Sequence, residues 1–290
     1  MRKLLLSAIC LMIAVLSFGQ GSRATKIDTL RLWPNGAPNA FEIPGPESGF
    51  ITFRAKEYED AMMEVYPAAN PNGLCIIMCP GGAYIMQSQT YEGRDMKDWF
   101  NSRGITYCML QYRLPCGHDD VPLSDVRQAI RLMRGKAAEL GITKIGIAGN
   151  SAGGHLAACA ATMYDSPETR PDFQFLMYPV ITMEASFTNM LSRDALLGKT
   201  PSQELVDKYS CEKNVTKDTP PAFIFLCSDD KAVPPANSLR YYEALIANGV
   251  SASMHIYPFG GHGFGWQDSM RFKFNWVDEL ETWLNVVVLK

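Results

Sequence analysis

Histidine is scarce in this sequence: four in 290 residues. No Cys-x-x-Cys and no His-Glu-x-x-His occurs, so neither a structural zinc site nor a zinc protease has a sequence signature here. Gly-x-Gly-x-x-Gly and Gly-x-x-x-x-Gly-Lys are also missing, which removes the usual nucleotide-binding turns. There is no basic block. Lys and Arg number 27 against 30 Asp and Glu, for a net charge of −3. That balance argues against a nucleic-acid partner. No apolar run reaches the ~20 residues that a spanning helix needs.

What is present suits an exported globule. Arg2 and Lys3 precede an apolar stretch at 4–18, and Ser17 and Gly19 are small residues suited to a signal peptidase. Residues 1–20 therefore read as a cleaved signal peptide, which implies a periplasmic or secreted protein with no stable membrane span after cleavage. Cys10 lies in that segment and leaves seven of the eight cysteines. Most fall in apolar runs and read as small buried hydrophobes, with room for one disulfide. Hydrophobic residues make up 47% and charged residues 20%, a composition that folds.

Residues 21–48 are rich in Pro, Gly and Asn and predict an extended arm. From 49 to 290 short apolar runs alternate with helical patterns, which predicts one α/β domain. Buried strands are expected at 74–79, 106–111, 144–148, 173–177, 222–227 and 253–257. Helices are expected at 92–102, 123–140, 152–163, 238–248 and 272–284. Residues 51–52 and 61–66 are candidates for added antiparallel strands. The fold class is thus a mostly parallel sheet with helices on both faces. Residues 181–219 break the rhythm and predict an insertion over the carboxyl ends of the strands, where such sheets bind ligands.

The chemistry starts at Gly149-Asn150-Ser151-Ala152-Gly153. This Gly-x-Ser-x-Gly follows a strand and opens a helix, the context a nucleophile elbow requires. The glycines allow a turn too tight for side chains, and the helix N-terminus behind Ser151 favours negative charge. An oxyanion hole needs two aimed N–H groups. One is expected from Ala152, the other from Gly82 or Ala83 in Pro80-Gly81-Gly82-Ala83-Tyr84, after the strand at 74–79.

Ser151 needs a base. His155 lies on the nucleophile's own helix, too constrained to reach back. His255 falls within a strand, and His118 in a polar loop suits a surface turn or a substrate edge. His262, in Gly260-Gly261-His262-Gly263 beyond the last strand, can lean toward the serine and is the expected general base. The acid should follow the preceding strand, where Asp229 and Asp230 compete. Asp230, in Asp-x-x-Val-Pro, holds the usual position, while Asp229 suits a loop cap or a backbone contact. These groups suffice for acyl transfer without a metal or organic cofactor.

These motifs, with Gly154-His155 after the elbow and the Asp230 to Pro234 segment, resemble exported bacterial α/β-hydrolases related to acetylxylan esterases and hormone-sensitive lipases. Leu32-Trp33-Pro34-Asn35-Gly36-Ala37-Pro38, Tyr112-Arg113-Leu114-Pro115 and Arg170-Pro171-Asp172-Phe173 extend the likeness over nearly the whole mature chain. The resemblance implies the α/β-hydrolase fold and hydrolysis of esters, often acetyl, on plant polysaccharides or their oligosaccharides. Feruloyl or general short-chain esters are the alternative substrates, and a catalytically silent sugar binder is the non-enzyme alternative. Many relatives have a third glycine where this chain has Ala83. The N–H survives, and the added methyl predicts a pocket for a small acyl group. Tyr84 and Trp266 are the candidate substrate contacts, with Trp99 and Tyr112 as weaker ones. Arg113 is expected in a buried ion pair, with Glu92 as a candidate partner.

Overall fold

The computed structural model describes residues 28–290, so the expected signal peptide lies outside the described residues. Eight strands form one sheet: β1 (Asp28–Arg31), β2 (Met62–Tyr66), β3 (Leu74–Cys79), β4 (Thr106–Gln111), β5 (Lys144–Asn150), β6 (Phe173–Met177), β7 (Ala222–Cys227) and β8 (Ala252–Tyr257). Their spatial order is β1-β2-β4-β3-β5-β6-β7-β8. β1, β2 and β4 pair antiparallel, and all the later neighbours pair parallel. This is the α/β-hydrolase arrangement.

The central strands have no polar face because helices cover both sides. Every residue of β3, β6 and β7 is buried. The helices are α1 (Lys97–Ser102), α2 (Val121–Gly135), α3 (Ala137–Leu140), α4 (Ser151–Thr162), α5 (Met190–Leu197), α6 (Gln203–Tyr209), α7 (Ala236–Ala247) and α8 (Lys273–Trp283). α4 is buried all round, from Ser151 to Ala161, which glycine or alanine at seven of its twelve positions allows. It packs on β5 and β6 and against α2.

Two expectations are corrected. Residues 51–52 form no strand, and the added edge strand is β1, contributed from the segment expected as an arm. The helical pattern at 123–140 is two helices, interrupted at Lys136 after Gly135. The segment after β1 is fastened rather than loose. Leu32 is fully buried, and the Trp33 indole N–H donates to Asp125 Oδ1 at 2.8 Å.

That carboxylate is also the partner of Arg113, in place of Glu92. The guanidinium donates to Asp125 from Nε and Nη2, at 2.6 Å for the shortest contact, and both side chains are buried. Arg113 Nη2 also donates to Asn39 Oδ1 at 2.8 Å.

The expected insertion at 181–219 contains α5 and α6. Their N-termini are capped by Asn189 and Ser202, whose side chains accept from Ser192 N–H and Leu205 N–H. The stretch closes on itself where Cys211 N–H donates to Ile181 O. It meets the loop after β4 through Gly117 N–H to Ala195 O and the Lys208–Asp119 ion pair. All seven cysteines among the described residues are buried free thiols.

Candidate active site

Five loops at the carboxyl ends of parallel strands meet at one point. β5 delivers Ser151, whose φ of 53° lies in the left-handed region that a non-glycine residue adopts only under strain. The surroundings impose that turn. A Cβ on Gly153 would stand 2.1 Å from Cys79 O, and one on Gly149 would stand 2.1 Å from Gly153 O. The helix can therefore start hard against β3 and β5 only with glycine at both places.

His262 arrives from the loop after β8. Its Nδ1 lies 2.7 Å from Asp230 Oδ2 and its Nε2 lies 2.8 Å from Ser151 Oγ. An ionised carboxylate only accepts, so Nδ1 carries the proton and Nε2 is left to accept from the serine hydroxyl. Asp230 is buried, and its other oxygen accepts from Ala232 N–H and Val233 N–H, both at 2.9 Å. Asp229 is exposed and faces the other way. Its Oδ1 accepts from Gly261 N–H at 2.8 Å, and that bond holds its carboxyl below the ordinary aspartate range. The two aspartates thus divide the roles the sequence left open: Asp230 meets the imidazole, and Asp229 ties down its loop.

β3 delivers the glycine-rich loop. Gly82, Ala83 and Tyr84 have φ of 135°, 53° and 59°, a run that turns successive N–H groups to one side. A Cβ on Gly81 would be 3.0 Å from Ser151 Cβ, so the loop lies against the serine. Among the described residues the N–H groups of Gly82, Ala83 and Ala152 have no acceptor. These are the three expected oxyanion donors. Beside this loop, a cavity of about 430 Å³ is lined by Phe50, Ile51, Ile85, Leu191, Asp194 and Lys199 among others.

The substrate contacts fare differently. Tyr84 is buried, and its hydroxyl is 2.8 Å from His155 Nδ1, so its side chain points into the protein and not toward a substrate. Tyr112 is likewise buried, donating to Pro80 O. Trp266 is half-buried. The Lys273 ammonium stands 4.5 Å over its ring, and Trp99 and Trp276 pack against it, which gives it a packing role.

The remaining histidines stand apart from the serine. His155 is buried and donates from Nε2 to Tyr209 O at 2.8 Å. His255 stacks on Phe223, and His118 is exposed and stacks on Phe41. His155, Cys159 and Cys211 come within 4.8 Å of one another at their ligand atoms. Both imidazole nitrogens already have oxygen partners, Tyr84 and Tyr209, so this group reads as core packing.

Sequence reasoning missed Tyr178 and misplaced Glu92. Tyr178 follows β6 with φ of 37°, and its ring lies 4.8 Å from that of His262. Glu92 is buried, and its carboxylate accepts from the Tyr178 hydroxyl at 2.7 Å. A Tyr-Pro pair directly after a buried strand was the only signal for Tyr178. Nothing in the spacing signalled Glu92.

Residues 63–245 match the BD-FAE family model. The chain is 39% identical to the acetylxylan esterase of Xylanibacter ruminicola, a match that covers 82% of this chain and 50% of that one. It is 33% identical to endo-1,4-beta-xylanase B of Butyrivibrio fibrisolvens, over 65% of this chain and 32% of that one. The chain thus spans half or less of the length of these curated relatives. Among solved structures it resembles the acetyl ester-xyloside bifunctional hydrolase of Caldicellulosiruptor lactoaceticus. That match has 34% identity and a TM-score of 0.78, covering 92% of this chain and 99% of that one.

Proposed function

From the premise that this chain belongs to the BD-FAE family, we propose that it is a serine carboxylic ester hydrolase that removes O-acetyl groups from xylan-type polysaccharides or oligosaccharides. The observation that carries the reading is the continuous hydrogen-bond line from Asp230 through His262 to Ser151, at 2.7 and 2.8 Å. The acetylated xylan substrate is proposed from the names of the relatives. Ala83, whose methyl enters where many relatives have glycine, supports a small acyl group.

In the proposed mechanism His262 takes the Ser151 proton as Oγ attacks the ester carbonyl. Asp230 steadies the imidazolium that forms. The oxyanion is held by Ala152 N–H and by Gly82 or Ala83 N–H, donors fixed before the reaction. The carbonyl re-forms as the bond to the sugar oxygen breaks, and His262 gives its proton to that oxygen, which leaves as the sugar hydroxyl. Water, activated by the same histidine, releases acetate from Ser151. The cavity between Ile85 and α5 borders the oxyanion loop, since Ile85 N–H donates to Gly82 O, and we assign it to the sugar.

The test is acetate release from acetylated xylo-oligosaccharides beside hydrolysis of 4-nitrophenyl acetate. Release from both is the expected result. Activity on the nitrophenyl ester alone would keep the serine esterase and discard xylan, in favour of a feruloyl or general short-chain substrate. Inertness to both esters, with no fluorophosphonate labelling, would mean a silent binder.

An extracellular or periplasmic site of action fits such a substrate and the leader-like residues 1–20. N-terminal sequencing of the exported protein should begin near Gln20 or Gly21. A retained Met1 would sink the cleavage.

A further inference from the structure

Glu92 stands at the junction of the loops that make up the candidate site. Its Oε2 accepts from Gly81 N–H at 3.0 Å, the residue before Gly82 in the oxyanion loop. Its Oε1 accepts from the Tyr178 hydroxyl at 2.7 Å. That hydroxyl in turn accepts from Gly265 N–H at 2.9 Å, on the segment that carries His262. The Glu92 backbone carbonyl accepts from Asn150 Nδ2 at 2.9 Å, next to Ser151. One residue, 3% exposed, thus touches the oxyanion loop and the nucleophile turn, and reaches the histidine loop through one hydroxyl.

No Arg or Lys pairs with Glu92 among the described residues. Burial pushes its carboxyl above the ordinary glutamate range, against the opposite pull of the Tyr178 hydroxyl, His262 and Gly81 N–H. An acid raised in this way gives up stability as pH climbs through its folded value, since the protonated form suits the buried site better. The Tyr178 hydroxyl, the nearby imidazole, Gly81 N–H and the Ser88 hydroxyl all favour the carboxylate form.

Resting on the Ser151–His262–Asp230 reading, we propose that Glu92 is a positioning residue for the ester hydrolysis, whose side chain locks the oxyanion loop to the His262 loop through Tyr178. Gly81 N–H on Oε2 fixes the Pro80–Gly81 peptide plane, adjacent to the one that carries Gly82 N–H, and so constrains the aim of the oxyanion donors. The Tyr178 ring, held by its hydroxyl, braces the His262 ring edge to face. The titratable groups that face Glu92 are Tyr178 after β6, His262 after β8 and Tyr112 after β4. Both tyrosines are buried and held above their ordinary values by that burial, so at neutral pH they are uncharged.

The Gln amide has one acceptor oxygen where the carboxylate uses two, for Gly81 N–H and for the Tyr178 hydroxyl, so in Glu92→Gln kcat should fall by about 10- to 100-fold for misplaced donors. KM should stay near the parent value, because the aim of the donors is felt in the transition state.

The experiment compares kcat and KM of the full chain, Glu92→Gln and Tyr178→Phe on 4-nitrophenyl acetate, with competent sites counted by fluorophosphonate labelling. Lower kcat per labelled site at a near-parent KM supports the assignment. An active parent whose Gln variant keeps kcat per site overturns the role of Glu92 and leaves the triad standing. So does a Gln variant whose loss of rate matches a loss of labelled sites, the mark of a structural residue. A parent inert to probe and ester overturns the triad reading, and this assignment goes with it. Should the Gln variant fail to fold, Tyr178→Phe decides: kcat per site about 10-fold lower supports the lock, and parent kcat overturns it.

Discussion

Replacing Ser151 with alanine should lower kcat on 4-nitrophenyl acetate at least about 10³-fold and abolish fluorophosphonate labelling. The substitution removes one oxygen and little else. The turn is set by Gly149, Gly153 and the strand behind them, so the backbone donors stay in place. The residual rate should come from those donors and from binding. No neighbouring group can substitute. Burial pushes the Cys79 thiol, at the base of the oxyanion loop, far above its ordinary value. The Cys227 thiol, at the base of the Asp230 loop, is pushed up to about 12, again by burial first. Both are protonated at neutral pH and therefore poor nucleophiles. Near-parent turnover in a contaminant-free sample would overturn Ser151 as the nucleophile.

The residues of this line were legible in the sequence because each follows the end of a strand, Ser151 and His262 beside glycines and Asp230 in Asp-x-x-Val-Pro. β3, β4, β6 and β7 coincide with expected runs, since strands covered on both faces read as unbroken apolar stretches. β1 did not stand out. Asp28-Thr29-Leu30-Arg31 is an edge strand, held by backbone pairing to β2 and needing little apolar surface. The stretch at 51–52 had the composition of a strand but no partner. The break at Lys136 was hidden because the apolar period continues across it. α5 and α6 were overlooked although Asn189 and Ser202 are good caps, because each is only about two turns long and shows too short a period to count.

The parts of the site that stayed illegible are those fixed by tertiary packing. Tyr178 and Glu92 are 86 residues apart in sequence, and only the way the loops after β3 and β6 pack brings them together. Arg113 found Asp125, twelve residues on, because α2 turns that residue inward. Tyr84 was taken for a substrate contact on adjacency to the oxyanion loop. Its φ of 59° turns the side chain under the loop to His155 instead. Position in the chain located the loops, but the direction of each side chain came from the turn itself.

Asp230→Asn should lower kcat about 10⁴-fold near pH 7 while the protein stays folded. The reason lies in how the two oxygens are used. Oδ1 accepts from Ala232 N–H and Val233 N–H, so in the asparagine variant the carbonyl oxygen must keep that place. The amide nitrogen is then forced to face His262 Nδ1 across the 2.7 Å contact, where it can only donate. Nδ1 must become the acceptor, which moves the imidazole proton to Nε2. Nε2–H then points at Ser151 Oγ and cannot take the hydroxyl proton. The loss is one of tautomer and not of packing, so thermal unfolding should change little. Asp229→Asn supplies the contrast. Its oxygen still accepts from Gly261 N–H, its side chain is exposed, and the histidine keeps its acid. Activity there should stay within about threefold of the parent, an energetic change under 1 kcal/mol. Equal losses at the two positions would mean that either carboxylate can orient His262, and the division of roles drawn from their hydrogen bonds would be wrong.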